Sequence, residues 1–481
     1  MGKIKIHSNN LLLDYYELTM CYSYFINKKH HEQCVFDVFF REIPYSGGYA
    51  IFCGLEDIVN YVTNLKFSIE EINFLRGRYQ FSSDFLEYLA KWRFKGDIYS
   101  FKEGSVIFPN EPIIIVKGNL FDCQIIETYL LTIFNHQSLI ATKASRIVNA
   151  AIGRGVMEFG ARRAHGSEAA IKGARAAYIC GVIGTSNVIG DYLYNIPALG
   201  TMAHSYVMTF DSEYEAFKHY ALSYPNNTTL LVDTYNTLKS GVPNAIKIHN
   251  EVLKPLGYSL KGIRIDSGDL AYLSTKARQL LDSAGLFDTK ITVSNSLDEY
   301  LITSLISEGA KIDAFGVGEK LITGGGQSIF GGVYKITARE INKILVPTIK
   351  LSDNPSKTTL PGFKKVYRFY DLDHKAIADL ICLNDEQIDH TKPYLLFDPV
   401  YTYKQKEVIN YKIELKTIKI IEKGKVIIDL PTITQIKEHC QNELNSMWSE
   451  IKRLYNPHNY YVDLSNPLYE LLQSMINKLR V

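Results

Sequence analysis

Apolar runs that end in polar, chemically capable residues recur along the middle of the chain. Five stand out. Ile196-Pro197-Ala198-Leu199 leads into Gly200-Thr201-Met202-Ala203-His204-Ser205. The others are Leu230-Leu231-Val232-Asp233-Thr234, Gly262-Ile263-Arg264-Ile265-Asp266-Ser267-Gly268-Asp269, Ile291-Thr292-Val293-Ser294-Asn295 and Ala314-Phe315-Gly316-Val317-Gly318-Glu319. They return every ~25–35 residues, the pitch of successive β-α units in a barrel. Catalytic groups in such barrels occupy the carboxyl ends of the strands, so five polar strand ends predict five parts of one site. Val156-Met157-Glu158-Phe159 and Ile179-Cys180-Gly181-Val182-Ile183 read as two further strands. A complete eightfold barrel takes ~250 residues, so seven strands over roughly 165 predict a compact, incomplete α/β barrel.

The flanks carry a different pattern. Residues 1–125 read as mixed α+β, with helices over 15–25, 54–65 and 69–92, a strand over 35–41 and short strands over 96–116. The largely apolar stretch 125–151 predicts a long helix joining two domains. After Gly331-Gly332-Val333-Tyr334-Lys335 short strands and charged turns resume, among them Val366-Tyr367-Arg368-Phe369-Tyr370 and Ile418-Lys419-Ile420-Ile421. A helix is expected over 434–454, opened by a Thr cap. The expected domains are an α+β sandwich over 1–125, the barrel over 126–338, a return to the sandwich over 339–430 and a helical segment over 431–481.

Composition narrows the function classes. The 481 residues are 46% apolar and 22% charged, with a net charge of +2. That balance argues against bulk binding to nucleic acid or a membrane surface, which needs a basic excess. Seven cysteines are scattered without a CxxC pair, which argues against a disulfide framework or structural zinc site and fits a reducing compartment. No apolar run reaches membrane-spanning length, and the first residues lack the pattern of a signal peptide or acylation site. A cytoplasmic protein is expected.

The strand ends carry the chemistry. Strand alternation puts Arg264 and Asp266 on one side. An arginine beside carboxylates at a glycine turn suits an anionic sugar, against the alternative of a structural salt bridge. Phe315-Gly316-Val317-Gly318, followed by Gly324-Gly325-Gly326, offers backbone N–H groups to a phosphate, or simply a tight turn. Arg162 and Arg163 after Phe159 suit a polyphosphate or carboxylate, or form a solvated basic turn. His204, between Thr201 and Ser205, is a candidate acid/base or nucleophile. Serine-hydrolase, HExxH zinc and Walker signatures are absent.

Taken together the motifs resemble nicotinate phosphoribosyltransferases over nearly the whole chain. They are LLLDYYELTM (11–20), GGYAIFCGL (47–55), FPNEP (108–112), EFGARRA (158–164), GTSNV (184–188), GTMAHS (200–205), LVDTYNTLKSGV (231–242), GIRIDSGDL (262–270), SNSLDE (294–299), FGVG (315–318) and GGVYK (331–335). The resemblance implies a type II phosphoribosyltransferase: a seven-stranded incomplete barrel packed on a sandwich domain, in a head-to-tail homodimer with shared sites. The implied reaction joins nicotinate to phosphoribosyl pyrophosphate, giving nicotinate mononucleotide and pyrophosphate as the first step of NAD synthesis from nicotinate. It is coupled to ATP hydrolysis through a phosphohistidine, which the motif places at His204.

On that resemblance, Arg162 or Arg163 with Mg²⁺ suits the pyrophosphate, Asp266 the ribose hydroxyls and Gly318 the 5′-phosphate. Mg²⁺ is expected to be held mainly by substrate phosphates. Phe159 and Tyr16 are the expected faces of a ring sandwich. Ser186 stands where nicotinamide-using relatives carry an Asp. Thr201, Ser205, Asp269, Ser294, Asn295, Gly316 and Glu319 complete the expected substrate site, with Arg264 beside His204 and Asp266 as catalytic. Two residues depart from the pattern: Glu319, where the family often has Thr, and Asn236, where many relatives have Asp. The rival readings are a nicotinamide-using enzyme and a non-catalytic sugar-phosphate binder.

Overall fold

The computed structural model describes residues 9–352 and 357–479. The chain forms two compact units, one comprising residues up to Leu139 and from Ile329 onward, the other Ile140–Ser328. The division falls inside the long helix Glu127–Ala150.

In the first unit the two ends of the chain share one sheet. Gln33–Phe39 pairs antiparallel with Ile114–Asn119 on one side and with Val333–Ile341 on the other. Asp97–Ser100 pairs with Ile418–Glu422. The sheet has seven strands; a second, of four, runs Lys412–Leu415, Lys364–Tyr370, Ala376–Leu383, Val462–Leu464. The helix Leu55–Asn64 buries Leu55, Ile58, Val59 and Val62, the i, i+3, i+4, i+7 stripe of an amphipathic helix. They join a core with Phe36, Phe40, Phe52 and Phe121.

The helix expected over 69–92 is two, Ile69–Arg78 and Ser83–Lys91. The break is marked by Ser82, which starts the second helix by accepting from Phe85 N; the first helix has its own cap, Ser68, boxed with Glu71. The helix expected over 434–454 runs Ile433–Ser446, and its capping residue is Thr432, boxed with Gln435.

The second unit is a curled parallel sheet of six strands, not seven. Their spatial order is Gly184–Thr185, Gly155–Glu158, Ala314–Val317, Lys290–Ser294, Gly262–Ile265, Thr229–Leu231. The first strand in the chain lies between the second and the last. Residues 196–199 do not form a strand. They contribute one parallel bridge, Thr185 to Ala198. Pro197 has no N–H to extend the ladder, and Gly200 follows at once. The run 179–183 is also not a strand: the helix Ser167–Ile179 occupies its start, and pairing begins at Gly184.

All seven cysteines are buried and none is in a disulfide. Among the described residues no helix is long and apolar enough to cross a membrane.

Candidate active site

The carboxyl ends of the parallel strands open into a cavity of about 480 Å³. Phe159, Arg162, Arg163, Ser186, Thr201, Arg264, Asp266, Ser294, Asn295, Gly316, Gly318 and Glu319 all line it. These residues come from well-separated stretches of sequence and meet because parallel strands present every carboxyl end on the same side.

His204 opens a short helix, His204–Met208, rather than ending a strand. Its Nδ1 is 3.1 Å from Thr234 Oγ1. Its Nε2 is 3.9 Å from Asp233 Oδ1 and 3.9 Å from Asp266 Oδ2. The ring is 39% exposed, whereas the Asp233 side chain is 1% exposed.

Asp233 is an organiser to which sequence reasoning, while counting its strand end as part of the site, gave no role. Its Oδ2 accepts from Asp266 N at 2.8 Å and from Ser267 Oγ at 2.6 Å, tying two neighbouring strand ends together. Its Oδ1 is buried without a hydrogen-bond partner. The signal was present, since Asp233 is the polar end of the run Leu230-Leu231-Val232. Asp266 is held from its other side by the Ser294 hydroxyl, which donates to Oδ1.

Arg264 shapes the loop before His204. Its Nη1 donates to Thr201 Oγ1 at 2.8 Å and its Nη2 to Met202 O at 3.0 Å, while Nε is buried without a partner. Burial lowers the guanidinium pKa, with Asp266 and Asp233 opposing the shift. An arginine stays charged even so.

The glycine-rich end has a packing reason. A Cβ on Gly316 would lie 2.5 Å from the Phe159 ring, so the missing side chain is what lets that ring sit against the strand. Gly318 precedes the short helix Glu319–Ile322. Lys320 lines the same cavity as Glu319, placing a cation on the wall that carries the unexpected carboxylate. Asn295 and Ser296 adopt φ of +98° and +50° at the cavity wall. Such angles are uncommon for non-glycine residues, Asn being among the more tolerant.

Four expected residues are not in the cavity lining: His204, whose contacts are given above, and Asp269, Ser205 and Tyr16. Asp269 caps the helix Leu270–Ser283, accepting from Tyr272 N at 3.0 Å. Ser205 is exposed on the helix of His204 and does not line the cavity. Tyr16 belongs to the first unit, 45% exposed on the helix Tyr15–Ile26; burial raises its hydroxyl pKa, and the Glu127 carboxylate adds to the shift. The departure at Asn236 is a cap, its Oδ1 accepting from Lys239 N at 2.8 Å. Asn and Asp serve that role equally.

Comparison with known proteins gives this geometry a family. Models of the nicotinate phosphoribosyltransferase N-terminal domain, family region and C-terminal domain match residues 11–135, 155–390 and 363–472. The nicotinate phosphoribosyltransferase of Bacillus subtilis is 43% identical over 99% of this chain and 97% of its own length. That of Caenorhabditis elegans is 34% identical over 97% of this chain and 93% of its own. The crystal structure of human nicotinic acid phosphoribosyltransferase superposes with a TM-score of 0.85 at 27% identity, covering 97% of this chain and 100% of that one. Sequence matches over nearly the full length and a shared fold agree, and the chain belongs to the nicotinate phosphoribosyltransferase family, as a phosphoribosyltransferase enzyme.

Proposed function

We propose that the enzyme couples nicotinate mononucleotide formation to ATP hydrolysis through a phosphohistidine at His204, as the first step of NAD synthesis from nicotinate. The observation that carries this reading is the placement of His204 between Thr234, Asp233 and Asp266, next in the chain to Ala203 of the cavity wall. With its proton on Nδ1, donated to Thr234 Oγ1, the ring keeps the Nε2 lone pair for a phosphoryl group. Its exposure leaves it open to ATP. Phosphorylation adds negative charge beside two carboxylates, a state that favours cations and redistributes binding energy between substrates and products.

Nicotinate is a flat anion. Phe159 offers it a face, the Ser186 hydroxyl a hydrogen-bond donor, and Arg162 and Arg163 positive charge. The carboxylate of Asp266 suits the ribose hydroxyls, and the backbone at Gly316 and Gly318 the 5′-phosphate. The leaving pyrophosphate needs cations, for which the same arginines and Lys320 are available.

Mg²⁺ fits the donor chemistry. Asp233 Oδ1 is a buried, unpartnered oxygen, and it lies as close to His204 Nε2 as Asp266 Oδ2 does. Hard carboxylate oxygens are what Mg²⁺ takes. No group of three or more His, Cys, Asp or Glu side chains among the described residues could hold a metal ion. Asp233 and Asp266 would therefore share it with the substrate phosphates, where it would neutralise charge on the leaving pyrophosphate.

We place the active assembly as a homodimer, with Tyr16 of a second copy facing Phe159 across the pyridine ring. Phe159 is the one aromatic ring among the described residues lining the cavity, which supports a second face from elsewhere. The test is a product assay with nicotinate, nicotinamide and quinolinate in parallel, with and without ATP. Nicotinate mononucleotide should dominate and rise with ATP. Equal kcat/KM for nicotinate and nicotinamide, or indifference to ATP, overturns the corresponding part.

A further inference from the structure

One buried carboxylate touches both cavity loops that carry Phe159 and Ser186. Glu158 ends its strand with no exposed surface. One carboxylate oxygen accepts from Gly160 N, and the other accepts from Thr185 Oγ1 at 2.6 Å. Its backbone carbonyl accepts from Ser186 N at 2.8 Å. Thr185 Oγ1 in turn accepts from Asn187 N at 3.1 Å. The side chain thus bridges the residue after Phe159 to the residue before Ser186, across two neighbouring strands.

Nothing in the strand itself requires an acid there. Burial raises the pKa of Glu158, and the hydrogen bonds from Thr185 and Gly160 oppose the shift. Among the described residues no lysine or arginine forms an ion pair with it. A buried carboxylate satisfied only by an N–H and an O–H is a costly way to hold a turn. It does hold the turn tightly, because both oxygens are acceptors aimed at different loops. Gly160 has little room to move: a Cβ there would lie 2.6 Å from Ile322 and 2.7 Å from Gly318 O. Phe159 N donates to Val317 O at 2.8 Å, and its ring lies on Gly316. The Phe159 side of the gap is thereby pinned to the last strand, and Glu158 ties the Ser186 side to it.

We propose that Glu158 is a positioning residue that sets the separation between Phe159 and Ser186, and with it the fit of the pyridine ring. The inference rests on the reading above that nicotinate occupies the Phe159–Ser186 end of the cavity. It concerns recognition of the ring, so its effect falls on the pyridine substrate and spares the sugar pyrophosphate. Glutamine at 158 has only one acceptor oxygen and must turn its amide toward Thr185 or Gly160. Valine at 185 removes the hydroxyl from the other side of the same contact.

The test uses the full-length enzyme carrying Glu158→Gln, Thr185→Val, and both together. Each single change should raise the KM for nicotinate about 10-fold, the scale of one charge-assisted hydrogen bond. The KM for phosphoribosyl pyrophosphate should stay within about twofold. The double variant should be no worse than the poorer single one, because both changes break one contact. Glu158→Asp, which keeps two acceptor oxygens, should recover part of the loss. Three results overturn the inference: a nicotinate KM unchanged in both single variants, both KM values rising together with a fall in melting temperature, or additive losses in the double variant. If the unmodified enzyme turns over nicotinamide in place of nicotinate, the substrate reading fails. The KM for nicotinamide then carries the same test of Glu158.

Discussion

Replacing Asp233 by alanine tests the organisation of the site most directly. The change removes the acceptor for Asp266 N and Ser267 Oγ. These two losses are unequal. Ser267 is exposed, so water replaces its bond at little cost. Asp266 N is partly buried and loses a charge-assisted partner, a loss of about 2–3 kcal/mol. If that energy holds Asp266 against the ribose, kcat/KM for phosphoribosyl pyrophosphate falls roughly 30- to 150-fold, at 1.36 kcal/mol per decade. Asp233→Asn keeps an oxygen for Asp266 N but removes the negative charge facing His204. It should recover part of the kcat/KM loss and none of any ATP-linked effect. Initial rates of nicotinate mononucleotide formation at varied phosphoribosyl pyrophosphate, with thermal melting in parallel, measure both. A kcat/KM within threefold of the parent refutes the argument. So does a loss matched by a melting temperature low enough to unfold the enzyme under assay conditions.

Other expectations are briefer. His204→Ala should abolish ATPase activity and ATP-stimulated turnover, and unchanged ATP stimulation removes His204 from the coupling step. Gly316→Ala forces a methyl group to 2.5 Å from the Phe159 ring, so the ring must shift and the nicotinate KM should rise several-fold; identical kinetics would show that the ring is not a substrate contact. Glu17 is buried, and its Oε1 accepts from Thr128 N at 2.8 Å while Oε2 has no partner. Burial pushes its carboxyl up to about 7, against an unfolded value of ~4.3. Between those values the unfolded chain has lost the proton and the folded chain still holds it. The contribution of Glu17 is full below about pH 4 and is lost as pH rises through about 7. It spans up to about 4 kcal/mol over the whole window, and Glu17→Gln should flatten stability between pH 5 and 7 by about 2–3 kcal/mol in urea titrations. Parallel pH profiles for parent and variant contradict it.

The pattern of short apolar runs was enough to place strands at 155–158, 262–265, 290–294 and 314–317, because a strand buried on both faces leaves a local signature. It was also enough to mark their polar ends as parts of one site, since parallel strands put those ends on the same side. Motif spelling carried the family. Periodicity was blind to whatever depends on partners far away in the chain. Residues 196–199 have a strand's apolarity, but Pro197 withholds a donor, and pairing ends after one bridge. His204 follows that failed strand and opens a helix instead. Asp233 gains its role only where the 229–231 and 262–265 strands lie side by side, so that its carboxylate reaches Asp266 N, 33 residues away. Gly316 reads as part of a glycine-rich turn, and only the structure adds that the Phe159 ring lies on it. A residue's local preference is written in its neighbours along the chain; which side chain fills a gap or satisfies a buried donor depends on strand order and register, and only the tertiary structure sets those.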